Sequence, residues 1–90
     1  MKSMATLAVM GDRLVIDTHS PVPSYRQLAD QLRDRITNGQ ISPRELLPSI
    51  QQMVQETGLA VGTVRKAIAL LVDEGYAHTG PGRGTYAGKG

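Results

Sequence analysis

The stretch Leu47–Gly75, LPSIQQMVQETGLAVGTVRKAIALLVDEG, decides the fold. It reads as a short helix, a glycine turn and a longer helix. Ser49 stands where an N-cap belongs, and Gln52 three residues on gives the S-x-x-Q form of a capping box. Ile50, Met53 and Val54 then fall on one face at i, i+3, i+4 spacing. Gly58 follows the last turn, the place of a left-handed C-cap residue. A second periodic run begins three residues later, with Val61, Val64, Ala67, Ile68, Leu71 and Val72 as its apolar face and Gly75 as its stop. Two helices joined by a turn of about 3–4 residues containing glycine form the helix-turn-helix pattern, whose second helix enters the DNA major groove.

Upstream, Pro21-Val22-Pro23 is extended, because residues before proline avoid helical angles. Ser24 opens a further helix, with Gln27 again suggesting a capping box. Tyr25, Leu28, Ala29, Leu32 and Ile36 make its amphipathic stripe, and Asn38-Gly39 ends it. On the polar side Asp30 faces Arg33 favourably and Asp34 unfavourably. Ile41–Leu47, bracketed by Pro43 and Pro48, is too short for a helix and reads as a loop or a very short strand. Arg13–Asp17 is a short β-prone run, a candidate strand pairing within the chain or with a second subunit. After Gly75 the period shifts toward 2: Tyr76–Thr79, a Gly80–Gly84 turn, then Thr85–Ala87 make a hairpin. Its sheet needs a third strand, from Leu46-Leu47 or from Leu14–Ile16. The expected fold is therefore mainly α with a small β-sheet, a winged helix-turn-helix of three helices plus a β-hairpin wing. Residues 1–20 are expected to be a leader or arm, and residues 21–88 the folded domain.

Composition narrows the function. Ninety residues with 40% apolar content support one domain with a modest core. Only three Tyr represent the aromatics, so that core is built from Leu, Ile, Val, Ala and Met. The absence of cysteine removes disulfides and Cys-based zinc sites and fits a cytoplasmic protein. No stretch approaches the roughly 18 apolar residues of a membrane span, and residues 1–10 fall short of a secretory signal. Charges cancel over residues 1–23 and over 24–57. The whole net charge of +2 lies after residue 57, where Arg65, Lys66, Arg83 and Lys89 outnumber Asp73 and Glu74. Excess positive charge in the second helix of the pair and the tail beyond suits a nucleic-acid face.

An enzyme finds no support. His19 sits in a proline-bounded loop and His78 on a strand, without the spacing of a metal pair. Asp73 and Glu74 are adjacent on a helix and point apart. The glycine-rich turn opens a strand rather than a helix, which excludes a nucleotide-binding loop. Neither a cofactor nor a metal is expected.

The segment Pro23–Tyr86, about 70% of the chain, resembles the DNA-binding domain of the GntR family of bacterial transcription regulators. The similarity rests on PSYRQLADQLRDRITNG (23–39), LPS (47–49), GTVRKA (62–67), LLVDEGY (70–76) and GRGTY (82–86), in the family's order and spacing. It implies a sequence-specific transcription regulator, read as a repressor, that binds a two-fold symmetric operator as a homodimer at least on DNA. The helix at about 61–74 would lie in the major groove and the wing at 80–84 at the minor groove. Most members carry a C-terminal effector domain; this chain contains none, so a small-molecule effector enters only if such a domain is missing from it.

The resemblance also implies DNA-binding residues. Arg65 matches the recognition-helix arginine and can hold a phosphate or a guanine O6/N7 edge. Thr63 matches too, its hydroxyl able to meet a phosphate or the local backbone. Gly62 permits close approach, at about 1 kcal/mol of helix propensity. Lys66 replaces an acidic residue common in the family and adds positive charge. Ser49 caps its helix and presents N–H groups to a phosphate. Gly82, Arg83 and Gly84 suit a tight turn that brings Arg83 to the minor groove. Three departures matter more. Ala60 and Val61 stand where the family has Ser then Arg, and Gln51 where it has a base-reading Arg. Ala60 removes an N-cap worth on the order of 1 kcal/mol. Val61 offers only an apolar contact, such as to a thymine methyl, and Gln51 prefers adenine to guanine. They point to an operator shifted from the family's usual sequence. The alternative is a winged-helix protein-interaction module with weakened DNA binding.

Overall fold

The computed structural model describes residues 14–80 and 84–88. Its elements are α1 (Ser24–Thr37), α2 (Ile50–Thr57), α3 (Val61–Asp73), β1 (Ala77–Gly80) and β2 (Gly84–Ala87). Three helices and an antiparallel hairpin give the expected winged helix-turn-helix. The core lies where α1 crosses α3, its most extensive partner. Leu28, Ala29 and Leu32 of α1 meet Val64, Ala67, Ile68 and Leu71 of α3, with Met53 of α2 closing one end. Val61 and Val72, expected on the apolar face of α3, are 46% and 37% exposed. They lie at the edge of that face, beyond the arc that α1 covers.

Local signals set the helix-turn-helix. Ser49 Oγ accepts the Gln52 backbone N–H at 3.0 Å, and Gly58 ends α2 at φ 76° in the left-handed conformation. The reciprocal half of the expected capping box does not form, because Gln52 Nε2 donates to Glu56 Oε2 at 3.3 Å one turn on. Thr57 Oγ1 donates to Met53 O and accepts from Leu59 N–H, at 2.7 and 3.1 Å, fixing the chain as it leaves α2.

The box expected at Ser24 and Gln27 is absent altogether. Pro23 is the N-cap residue of α1 and makes no side-chain cap bond. Gln27 instead ties α1 to the segment before it: its Oε1 accepts Asp17 N–H, and its Nε2 donates to Asp17 O and Val22 O, each at 2.8 Å. Gln31 repeats the device one turn later, accepting from Val15 N–H at 3.0 Å and donating to Val15 O at 2.6 Å. The candidate strand at 13–17 is thus not a strand over its described residues 14–17. Its backbone pairs with two glutamine amides, while Leu14 is buried in the core and Ile16 packs against it.

The third strand comes from the other candidate. Leu46 forms an isolated antiparallel bridge with Tyr86, flanked by Leu47 N–H to Thr85 O and Ala87 N–H to Glu45 O, both at 2.8 Å. The hairpin pairs Ala77 with Ala87 and Gly80 with Gly84. Tyr86 stacks on His78 across it, centroids 5.7 Å apart, and its ring covers Gly80, where a Cβ would stand 2.7 Å from Cδ1. Gly80 and Gly84, expected in the turn, are thus the paired ends of β1 and β2.

Arg44 holds φ at 72°, the described non-glycine residue with positive φ. It is the third residue of a turn closed by Glu45 N–H to Ser42 O at 2.9 Å, with Pro43 before it, the position that favours glycine in a type II turn. Left-handed strain costs about 1–2 kcal/mol, offset in part by the extra unfolded-state freedom of glycine. Arg44→Gly is expected to stabilise the domain by about 0.5–1 kcal/mol, raising the thermal midpoint by a few degrees in a calorimetric scan.

Candidate nucleic-acid interface

The exposed side of the helix-turn-helix carries most of the candidate residues. Gln51, in the first turn of α2, and Val61 and Arg65, on successive turns of α3, line one shallow cleft floored by Ile50 and Val54. Arg65 is exposed and, among the described residues, no ion pair or hydrogen bond engages its guanidinium. Gly62 is exposed beside them, with open space where a Cβ would stand, and Thr63 is half-buried on the same turn.

The first turn of α3 is uncapped. Ala60 occupies the N-cap position in extended conformation without a side-chain acceptor, as expected from its side chain. Ala60→Ser supplies that acceptor and is expected to add about 0.5–2 kcal/mol of stability. A rise in the urea midpoint at unchanged slope would check it.

Lys66 takes a different direction. Its Nζ sits 4.2 Å from the centroid of the Tyr25 ring, and the two line a depression with Ala69, Leu70 and Asp73 at the seam of α1 and α3. The cation–π attraction, about 0.5–1 kcal/mol at an exposed site, places this charge toward the first turn of α1 rather than beside Arg65. Tyr25 is the neighbour that reasoning from the sequence left out. Its one signal was a phenol, half polar, at the edge of an aliphatic stripe.

Ser49 is exposed at the N-terminus of α2, in a third depression lined also by Leu46, Leu47, Gly84 and Thr85. The base of the wing therefore meets the start of α2. Gly84 opens β2 with φ at 139°. Gly82 and Arg83 lie outside the described residues. Among the described residues no group of three or more His, Asp or Glu could hold a metal ion, and no helix is long and apolar enough to cross a membrane.

Residues 24–87 match the family model for bacterial regulatory proteins of the gntR family. The chain belongs to the GntR family. NagR, an HTH-type transcriptional repressor of Bacillus subtilis, is 39% identical over 74 residues, which cover 82% of this chain and 30% of NagR. The mannosyl-D-glycerate transport/metabolism system repressor MngR of Escherichia coli is 38% identical over 71% of this chain and 27% of its own length. The chain thus spans under a third of each of these curated relatives. Among solved structures, YtrA from Sulfolobus acidocaldarius, a GntR-family transcription factor, superimposes with a TM-score of 0.76 at 36% identity, covering 86% of this chain and 80% of that one. The DNA-binding domain of AraR in complex with its operator ORX1 gives 0.75 at 29% identity over 83% and 96%. The winged helix-turn-helix of this chain is accordingly that of the GntR-type DNA-binding regulators.

Proposed function

We propose that this chain is the operator-binding unit of a GntR-type repressor, acting by occupying a two-fold symmetric site as a dimer on DNA. The observation that carries the reading is the exposed, uncapped first turn of α3. It presents Val61, Gly62 and Arg65 beside Gln51, in a fold shared with the operator-bound AraR domain. With α3 in the major groove, Arg65, Gln51 and Val61 face base edges. Ser49, Thr63 and Lys66 meet phosphates, which position the domain without reading sequence. The hairpin of β1 and β2 then serves as the wing at the minor groove, the contact expected of Gly82, Arg83 and Gly84.

One domain of this size makes few contacts, so affinity comes from two copies on half-sites a helical turn apart, about 10–10.5 base pairs or a multiple of that. Selection from a randomised duplex pool tests this. The expected product is an inverted pair of half-sites at such a spacing, bound by two chains per duplex in light scattering. Recovery of no sequence above background would refute it.

One observation favours a second reading, a protein-interaction module. Val61 is 46% exposed above the half-buried Ile50 and Val54, an apolar spot where the family has arginine. That reading predicts weak DNA affinity with little salt dependence.

A further inference from the structure

The departures at Gln51 and Val61 share one cleft, and their chemistries are complementary to a single base pair. The major-groove edge of an A·T pair presents adenine N7 and N6 at one end and the thymine C5-methyl at the other. A glutamine amide matches the first bidentately, and an exposed valine matches the second. Gln51 is exposed and its side chain makes no hydrogen bond within the described residues, so its amide is free to read. Val61 is exposed on the adjoining first turn of α3, on the same cleft. Arg65, one turn further along α3, borders that cleft with a guanidinium that no ion pair holds among the described residues and that suits guanine O6/N7.

We infer that Gln51 and Val61 together specify one A·T pair in each half-site, with adenine on Gln51 and the thymine methyl on Val61, and that Arg65 reads a neighbouring guanine. The inference rests on the proposed operator-binding role and assigns the base pair that role leaves open. It replaces a charge-based reading at these two positions by a neutral one, which costs phosphate attraction and gains discrimination against G·C. A guanine opposite Gln51 would set O6 against the amide oxygen and leave one of the paired bonds unmade, and no methyl would then meet Val61.

The test uses the duplex recovered from a randomised pool by the intact chain. An A·T pair is expected at one fixed position per half-site. Replacing its thymine by deoxyuridine removes only the methyl and should weaken wild-type binding about three- to fivefold. The same replacement should change binding of Val61→Ala by less than about twofold. Repeating the selection with Gln51→Arg should move that position to G·C. Both residues are exposed, and circular dichroism of the variants serves as the control that the fold is kept. A wild-type selection that returns G·C there, a deoxyuridine duplex bound as tightly as the parent, or an unchanged preference in Gln51→Arg would each overturn the inference while leaving operator binding standing. Enrichment of no duplex at all would instead remove the operator-binding role, and the inference with it.

Discussion

Leu32→Ala should cost the domain about 2–5 kcal/mol, enough to unfold a large part of the population at 37 °C. Leu32 is fully buried in the cluster where α1 lies across α3, with Leu28 and Ala29 on its own helix and Leu71 and Ile68 opposite. Truncation removes the transfer free energy of the lost carbons and leaves a cavity that rigid neighbours fill only in part. A chain of ninety residues has roughly 5–13 kcal/mol of stability in all, so the loss is a large fraction of it. Two further features make this site severe. The core contains no Phe or Trp to reach into the space, and the interface it damages is the one that orients α3. Urea denaturation followed by circular dichroism would show the drop. A midpoint within error of wild type would mean that the α1–α3 packing is not the centre of the fold.

The second large effect is on binding. Arg65→Ala should leave the fold intact and weaken operator binding by about 10- to 100-fold, since a good bidentate contact is worth about 1–3 kcal/mol and each 1.4 kcal/mol is tenfold. Arg65 is exposed and no ion pair among the described residues holds it, so its removal breaks no ion pair of the fold. The contrast with Lys66 sharpens the expectation. Lys66 is adjacent in sequence but leans on Tyr25, away from the Gln51–Val61 cleft. Lys66→Ala should therefore reduce affinity for all duplexes alike, whereas Arg65→Ala should also flatten sequence preference.

How much of this was legible beforehand depends on the range of the interactions. The helix pair was readable because its determinants are local: Ser49 caps within three residues, Gly58 turns the chain by its own φ, and the α3 stripe repeats every turn. Gln27 was misread for the same reason. The capping-box spacing is a local pattern, but the Asp17 and Val22 carbonyls, brought near by Pro21 and Pro23, offer the amide better partners. The run at 14–17 resembles a strand in sequence because its side chains favour extension. What no propensity reveals is that its backbone partners are the amides of Gln27 and Gln31. The third strand was narrowed to two segments, and Leu46 took the place because the turn at Pro43-Arg44 feeds it directly to Tyr86.

The candidate site divides along the same line. Gln51, Val61 and Arg65 converge because the helix-turn-helix geometry follows from local signals. The direction of Lys66 depends on Tyr25, forty-one positions earlier in the chain, and periodicity within α3 holds no information about it.

Operator binding by this domain requires that α3 meet DNA. The measurement that tests this most directly is fluorescence anisotropy of the intact chain on a randomised-core duplex pool between 50 and 200 mM salt, with Arg65→Ala alongside (~10 mM buffer throughout). The prediction is a steep linear fall of log affinity with log salt, as phosphate contacts release counterions, with Arg65→Ala weaker at every salt concentration. Weak binding that is flat across the series and identical in Arg65→Ala would contradict it, and would turn attention to a protein partner at Val61.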